Sequence, residues 1–518
     1  MSTTTAEPAA APAEPRRGVR ALVGLASAAI ALSLGHLTSL LTGAASSPAV
    51  LVGSQLVDAA PTPVKAVVVR LLGTADKPIL IGGVVVVTLL VGALLGLLAW
   101  RRPQLANLGI VAIGAVGLVV ALTRPGLGLG GAVPSVVAIA AGVTALQVLV
   151  NVTSPRPGEP VGSGPNRRRV LLGGLGSAAV VALSAGGGAL LSGVTRAGDA
   201  ARRMFTLPTA GSPAPPLPEG VQVPGNTPFS TSIEDFYRID ISLVTPRHEA
   251  EGWSLTIDGE VDNPLTLSYD ELLAMPMIER DITLTCVSNE VGGPYVGTAR
   301  WLGVPFAEII SRVGVRPGSD MLLSHSLDGG YTCSTPVAAL TDRDAMVAIG
   351  MNGEVLPDKN GFPARMVVPG LFGYVSATKW LERLEFSRFG AQTAYWTDRG
   401  WAEQGPILTQ SRIDVPDSLG TITPDKPVLA GVAWAQHRGI AKVELRIDDG
   451  EWQEAKLAEE GGIDLWRQWS FVYEGSPGRH KAEVRATDKT GDTQPEARQP
   501  VFPAGATGWH TIQFTLAD

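Results

Sequence analysis

The chain holds two cysteines, Cys286 and Cys333, and their surroundings define the first chemistry open to it. Cys286 closes the alternating run Asp281-Ile282-Thr283-Leu284-Thr285 and enters Val287-Ser288-Asn289-Glu290-Val291-Gly292-Gly293, a polar, glycine-containing loop. A cysteine where a strand runs into such a loop is placed to project a thiolate into a cleft. Cys333, in Tyr331-Thr332-Cys333-Ser334-Thr335, reads as mid-strand, where a free thiol usually fills core. In an oxidising compartment a pair of cysteines also reads as one disulfide. The residue pattern therefore leaves three readings open: a disulfide, two unrelated thiols, or a functional Cys286. Other redox chemistry has little to stand on. There is no Cys-x-x-Cys-His for a c-type haem and no cysteine cluster for iron and sulfur. His36 is the sole histidine of the first 200 residues, too few for a bis-histidine haem in that half.

The elements that must position Cys286 are mostly strands. From Phe236 to Phe389, alternating segments such as Trp253-Ser254-Leu255-Thr256-Ile257 and Arg365-Met366-Val367-Val368 are separated by Asp-Gly, Asn-Gly and Pro-Gly turns. Helical patterns are brief, at Tyr269–Ala274 and Pro305–Val313, which describes an α+β domain weighted toward strands. After Arg412 only strand and turn patterns remain, at Val428–Trp434, Lys442–Ile447, Gln468–Val472 and His480–Ala486, with Asp448-Asp449-Gly450 as a hairpin signal. About a hundred residues of this kind suggest an immunoglobulin-like sandwich. Prolines 208, 213, 215, 216, 218, 224 and 228 mark a stiff, exposed linker ahead of these domains.

The first 200 residues are a different material. They hold 14 basic and 6 acidic side chains, against 27 basic and 42 acidic in the rest, within a net charge of −7. A mean hydropathy of +0.21 with 17% charged residues is too apolar for an ordinary soluble chain of this length. Apolar runs of spanning length lie at 21–42, 79–99, 104–122, 132–150 and 170–192, which gives five spans. The run 48–72 is broken by Asp58, Pro61, Pro63, Lys65 and Arg70 and reads as interfacial or re-entrant. With the N-terminal tail inside, the inner flanks carry nine arginines and the outer loops four basic residues, so the part after Ser192 falls outside the cytoplasm. The acidic C-terminal part argues against nucleic-acid binding.

Two longer blocks are specific enough to name a family. Ile282-Thr283-Leu284-Thr285-Cys286-Val287-Ser288-Asn289 with Ala299-Arg300-Trp301-Leu302-Gly303-Val304-Pro305 resembles the molybdenum-binding segment of the sulfite oxidase family of molybdopterin oxidoreductases. Met351 to Pro357, then Asn360-Gly361-Phe362-Pro363-Ala364-Arg365-Met366-Val367-Val368-Pro369-Gly370, then Lys379-Trp380-Leu381 resemble its cofactor-binding block. The C-terminal part is similar to the family's molybdenum-cofactor oxidoreductase dimerisation domain, so the resemblance covers about 230 to 518. Apolar runs and composition before residue 231, and the resemblance after it, give this organisation: a disordered cytoplasmic tail (1–18); an all-α transmembrane bundle of about five spans (19–195); a Pro-rich linker (196–230); an α+β molybdopterin-binding catalytic domain (231–412); and an all-β immunoglobulin-like sandwich (413–518). The resemblance carries further implications. It implies molybdenum–molybdopterin as cofactor, with Cys286 as the thiolate ligand of the metal. Asn360 and Arg365 carry over as anchors, the guanidinium suited to a bidentate grip on the cofactor phosphate. Lys379 with Ala377 and Thr378 carries over to the pterin side, Tyr237 and Arg238 to a segment contacting cofactor and active site, and Ser326 to a hydroxyl contact.

The departures bear on substrate. Where sulfite oxidases carry a tyrosine that lines the substrate pocket, this chain has Ile349, and where they follow the cysteine segment with arginines it has Glu290 after Asn289. A carboxylate there repels sulfite. The expected activity is two-electron oxygen-atom transfer on a small substrate, with S-oxide or N-oxide reduction, or a non-enzymatic envelope protein with a degenerate domain, as alternatives. A separate electron carrier and the lipid bilayer are the expected partners, with homodimerisation left open. Asn166-Arg167-Arg168-Arg169-Val170-Leu171 ahead of an apolar stretch matches a twin-arginine export pattern. That route suits an enzyme loaded with cofactor before translocation.

Overall fold

The computed structural model of the chain describes residues 15–61, 64–65, 67–68, 72, 75–124, 127–154, 168, 171, 173–182, 184, 206–327 and 330–518. It divides into two compact units, 1–200 with 242–246, and 201–241 with 247–518.

The first unit is helical: α1 (Arg17–Thr42), α2 (Pro48–Ala59), α3 (Asp76–Leu98), α4 (Pro103–Thr123) and α5 (Val133–Thr153), then a short apolar α6 (Gly173–Ala182). Among the described residues four helices are long and apolar enough to cross a membrane, and they fall on the first four expected runs. Of the fifth run, 170–192, the described residues are 171, 173–182 and 184, where α6 is too short to span; the tail before residue 15 and the arginine motif, except Arg168 and Leu171, lie outside the described residues. The run at 48–72 contains the twelve-residue α2, too short to span. Glycines let α1 and α3 touch backbone to backbone: a Cβ on Gly24 would stand 2.0 Å from the Gly92 carbonyl oxygen, and one on Gly96 2.3 Å from that of Arg20. Gly24→Leu should therefore destabilise the bundle beyond the roughly 1–3 kcal/mol of ordinary overpacking, because backbone cannot step aside. The check is heat resistance of the detergent-solubilised chain, and an unchanged melting temperature would contradict this packing.

The second unit starts with four sheets. One runs β2 (Leu265–Ser268), β1 (Ser254–Gly259), β10 (Leu381–Ser387), β5 (Met321–Ser326), β6 (Thr332–Pro336), with β1 and β10 parallel. The second runs β3 (Ile278–Thr285), β4 (Val296–Pro305), β7 (Met346–Met351), β8 (Glu354–Val355), with β9 (Arg365–Val367) also on β7. Three short helices accompany them: α7 (Tyr269–Leu273), closed by a Ser268–Glu271 capping box, α8 (Phe306–Val313) and α9 (Gly373–Ser376). The two expected helical patterns are thus α7 and α8. Beyond them, β11 (Gln410–Val415), β13 (Val428–Trp434), β17 (Arg467–Val472) and β16 (Lys456–Leu457) form a third sheet. The fourth holds β12 (Thr421–Ile422), β19 (His510–Leu516), β18 (Gly478–Asp488), β14 (Ile440–Ile447) and β15 (Gln453–Glu454). Leu429 and Trp469 of the third sheet meet Val443, Val484 and Phe514 of the fourth in one buried core. At the β14–β15 hairpin Asp448 and Asp449 both take positive φ, and Gly450 N–H donates to the Ile447 carbonyl at 2.9 Å, the tight turn that Asp-Asp-Gly signals.

These layers do not fold independently. Val432, Trp434, Leu465 and Trp466 belong to the same core as Trp301, Val347 and Phe362. The proline-rich stretch runs along this unit, its Gly211 N–H donating to Met277 O at 2.9 Å and its Val221 N–H to Gln468 Oε1 at 2.8 Å.

Candidate active site

Strand β3 delivers Cys286 to a cleft. The strand is held from behind by the C-terminal sheets. Gln436 Nε2 donates to Thr283 O and Thr285 Oγ1, both at 3.0 Å, Thr283 N–H donates to Asp464 O, and Trp466 N–H donates to Thr283 Oγ1 at 2.9 Å. The loop after Cys286 is pinned on the same side: Arg412 Nη1 donates to Gly293 O at 2.8 Å, and the His510 ring lies against Gly292, where a Cβ would come within 2.3 Å of it. Burial lowers the His510 pKa to about 4, so a neutral ring accepts the Ile413 N–H at 3.0 Å.

The cleft has about 940 Å³ of space, counting the part open to solvent. Its wall includes Tyr237, Cys286, Asn360, Arg365, Ala377 and Lys379, six of the residues expected from sequence. Arg365 is 5% exposed, and its guanidinium donates to three backbone carbonyls, Met366 at 3.3 Å, Asn360 at 3.1 Å and Ala377 at 3.4 Å, while resting 4.9 Å over the Trp301 ring. It forms no ion pair with a carboxylate among the described residues, and burial drives its pKa down to about 10. Lys379 is lowered to about 8 by burial, against the pull of Asp240, whose carboxylate receives its Nζ at 2.6 Å. Gly361 separates these two cations at φ +114°, and a Cβ there would stand 3.0 Å from Lys379 Cβ and 3.1 Å from Arg365 Cβ, so only glycine keeps both in place. Asn360 is 3% exposed with its Oδ1 unpartnered. Cys286 accepts the Ser288 N–H at 3.4 Å; burial raises its thiol pKa, with that hydrogen bond and the Lys379 charge acting the other way. Burial raises Tyr237 as well, keeping its phenol neutral.

Three expected residues do not line the cleft. Arg238 reaches it through Asp240, donating from Nε at 2.8 Å. Thr378 points into the core, its hydroxyl 2.7 Å from Ser324 Oγ. Ser326 is 2% exposed at the end of β5, its N–H donating to Tyr331 O. Cys286 and Cys333 are both free thiols, so the disulfide reading falls; Cys333 is buried in β6. The two features read as bearing on substrate also sit elsewhere: Ile349 is fully buried in β7 and Glu290 is exposed, and neither lines the cleft. Sequence reasoning missed Asp240, Tyr331, Tyr374, Trp396 and Trp401, which do. Asp240 stands two residues past Arg238 and pairs with both Arg238 and Lys379. The aromatic density of Tyr395-Trp396-Thr397-Asp398-Arg399-Gly400-Trp401 was the available signal for the rest.

A thiol, a buried cation without a carboxylate and an unpartnered amide oxygen in one cleft fit a metal held beside an anionic, hydrogen-bonding organic group. The comparisons define that class. Residues 242–396 match the family described as oxidoreductase molybdopterin binding domain. Sulfite oxidase of Arabidopsis thaliana is 25% identical over 384 residues, 60% of this chain and 97% of its own. Mitochondrial sulfite oxidase of Rattus norvegicus is 26% identical over 48% of this chain and 54% of its own, so the match spans about half of the mammalian protein. An uncharacterised oxidoreductase of Bacillus subtilis is 29% identical over 36% of this chain and 88% of its own. The chain is a molybdopterin-dependent oxidoreductase similar to the sulfite oxidases, with molybdenum–molybdopterin as its cofactor.

Proposed function

We propose that the chain is a membrane-anchored oxidoreductase that carries out two-electron oxygen-atom transfer on a small substrate outside the cytoplasm, with Cys286 holding the molybdenum. The observation that carries this is Arg365: a buried guanidinium without a carboxylate partner calls for an anion from outside the protein. Molybdenum–molybdopterin supplies the two-electron chemistry. Arg365 and Lys379 would hold its anionic end, Asn360 Oδ1 would accept a hydrogen bond there, Ala377 and Thr378 would lend backbone, and the neutral Tyr237 phenol is a hydrogen-bond donor beside Cys286. Arg238 shapes this end through Asp240, and Ser326 supports Tyr331 from behind. Residues 231–412 form the catalytic domain and 413–518 an immunoglobulin-like sandwich that braces it. With two cysteines in the whole chain, electrons pass to or from a separate carrier. Elemental and pterin analysis of the purified full chain tests this: molybdenum near one per chain is expected, and its absence from cofactor-replete cells overturns the reading.

Lys379 gives this site a pH signature. Its pKa of about 8 in the free protein rises once an anion is bound. Measured relative to Lys379→Met, in which the proton that the Cys286 thiol loses on ligation is the same, cofactor affinity is therefore flat below pH 8 and falls above it, up to about tenfold per unit, because the free lysine must regain a proton on binding. Cofactor release followed by pterin fluorescence checks this, and a flat profile to pH 10 contradicts it.

For the location, the four apolar helices and the arginine distribution support an anchor with the catalytic part outside. Replacing Arg167 and Arg168 with lysine should leave that part protected from protease added to spheroplasts. Normal export of the double variant would remove the twin-arginine reading.

A further inference from the structure

The cleft has a second wall that the cofactor anchors do not use. Trp396 and Trp401, from the loop after β10, line it together with Tyr331 and Tyr374. The rings brace one another: Trp396 to Trp401 at 6.1 Å, Tyr374 to Trp401 at 5.9 Å, and Tyr331 and Trp396 each to Tyr395, at 5.7 and 5.1 Å. Phe502 closes the set at 5.3 Å from Trp401, and the Tyr374 hydroxyl is tied to Ala402 O at 2.5 Å. Trp401 is 8% exposed, and its indole N–H, though buried, meets no acceptor among the described residues. Trp434 and Trp469 also have unpartnered indoles, but neither lines the cleft. A buried donor left unsatisfied costs roughly 1–3 kcal/mol, and in a cleft wall an acceptor arriving from outside removes that cost.

Charge on this wall is lacking. The cations that line the cleft are Lys359, Arg365 and Lys379; the first donates to Glu234 O, the second to three carbonyls and the third to Asp240. The same cations serve the cofactor in the proposed function, so a small oxyanion finds aromatic faces and one indole N–H on the remaining side. Aromatic surfaces hold flat or apolar bodies, not strongly hydrated anions.

We infer that this wall is the substrate-recognition face of the cleft, and that it selects a neutral organic molecule with an aromatic or other apolar body and a hydrogen-bond-accepting oxygen over a small oxyanion, with Trp401 as the donor. The inference rests on the cleft being the cofactor site proposed above. Two redox-inert probes separate binding from turnover: methyl phenyl sulfone, which carries an aromatic body and neutral oxygens, and sulfate. Both are titrated calorimetrically into the detergent-solubilised full chain, with molybdenum content measured first on the same preparation. Saturable sulfone binding without saturable sulfate binding is expected. Trp401→Phe keeps the ring and loses the N–H, weakening the sulfone about fivefold to tenfold, the scale of one neutral hydrogen bond. Trp396→Ala, at a half-buried position, should weaken it too at unchanged molybdenum content, which covers the case in which the Trp401 variant fails to fold. Sulfate binding as tight as the sulfone's, or unchanged sulfone affinity in the folded variants, overturns the inference. A preparation from replete cells that carries no molybdenum fails the proposed function instead.

Discussion

Cys286→Ser is expected to lower activity by at least about a hundredfold while leaving the chain folded. Loss of an outer partner of a metal ligand already costs 10–100-fold, and a direct ligand sits at or beyond the top of that range. Serine is close to cysteine in size but its hydroxyl does not ionise readily, so it fails as a soft anionic ligand. The fold should barely notice. The strand that carries the residue is fixed through Thr283 and Thr285 by Gln436, Asp464 and Trp466, and among the described residues the thiol accepts only the Ser288 N–H. A change in stability within about 1 kcal/mol is the expectation for so lightly held a side chain. Thermal unfolding beside steady-state turnover checks both halves. Retained activity would remove Cys286 from the chemistry.

Arg365→Met should have an effect of similar size by a different route, through loss of cofactor. Methionine approximates the length of the side chain and removes the charge, and truncating one member of a buried charge pair costs about 2–5 kcal/mol. Molybdenum content should fall steeply, activity should fall in proportion to it, and Arg365→Lys should recover part of both, since it restores charge without the planar fork. The variant without cofactor need not be unstable, because the guanidinium is itself buried at a cost that its three carbonyl partners only partly offset. Normal molybdenum content in a folded Arg365→Met protein would show that the anion lies elsewhere.

Much of the architecture could be read from local pattern. Strand β13 covers Val428–Trp434 as the alternation indicated, and α7 and α8 fall on the two helical patterns, because side chains there report which face is buried over a few residues. Four apolar runs are helices for the same reason. The cleft was legible only where short motifs carry it, at Tyr237, Cys286, Asn360, Arg365, Ala377 and Lys379. What escaped was assembled over long separations: Asp240 reaches Lys379 across 139 positions of sequence, Gln436 reaches Thr283 from the other module, and Trp396 and Trp401 come together with Tyr331 only after the loop beyond β10 folds back. No periodicity records such meetings. The same distance explains why Ile349 and Glu290 do not mark the residues that line the cleft. Each is a departure in sequence, but one is core and the other faces solvent, while Tyr331, Tyr374, Trp396 and Trp401, which shape the open side of the cleft, come from separate segments well past Glu290.

X-ray absorption at the molybdenum edge is the most direct test of the central claim, that Cys286 holds the metal in this cleft. Measured on the full-length wild-type chain and on Cys286→Ser loaded to whatever extent it retains metal, the spectra should differ by one sulfur neighbour of molybdenum, absent from the variant. Identical sulfur coordination in the two proteins, or no molybdenum in the wild type, would contradict it.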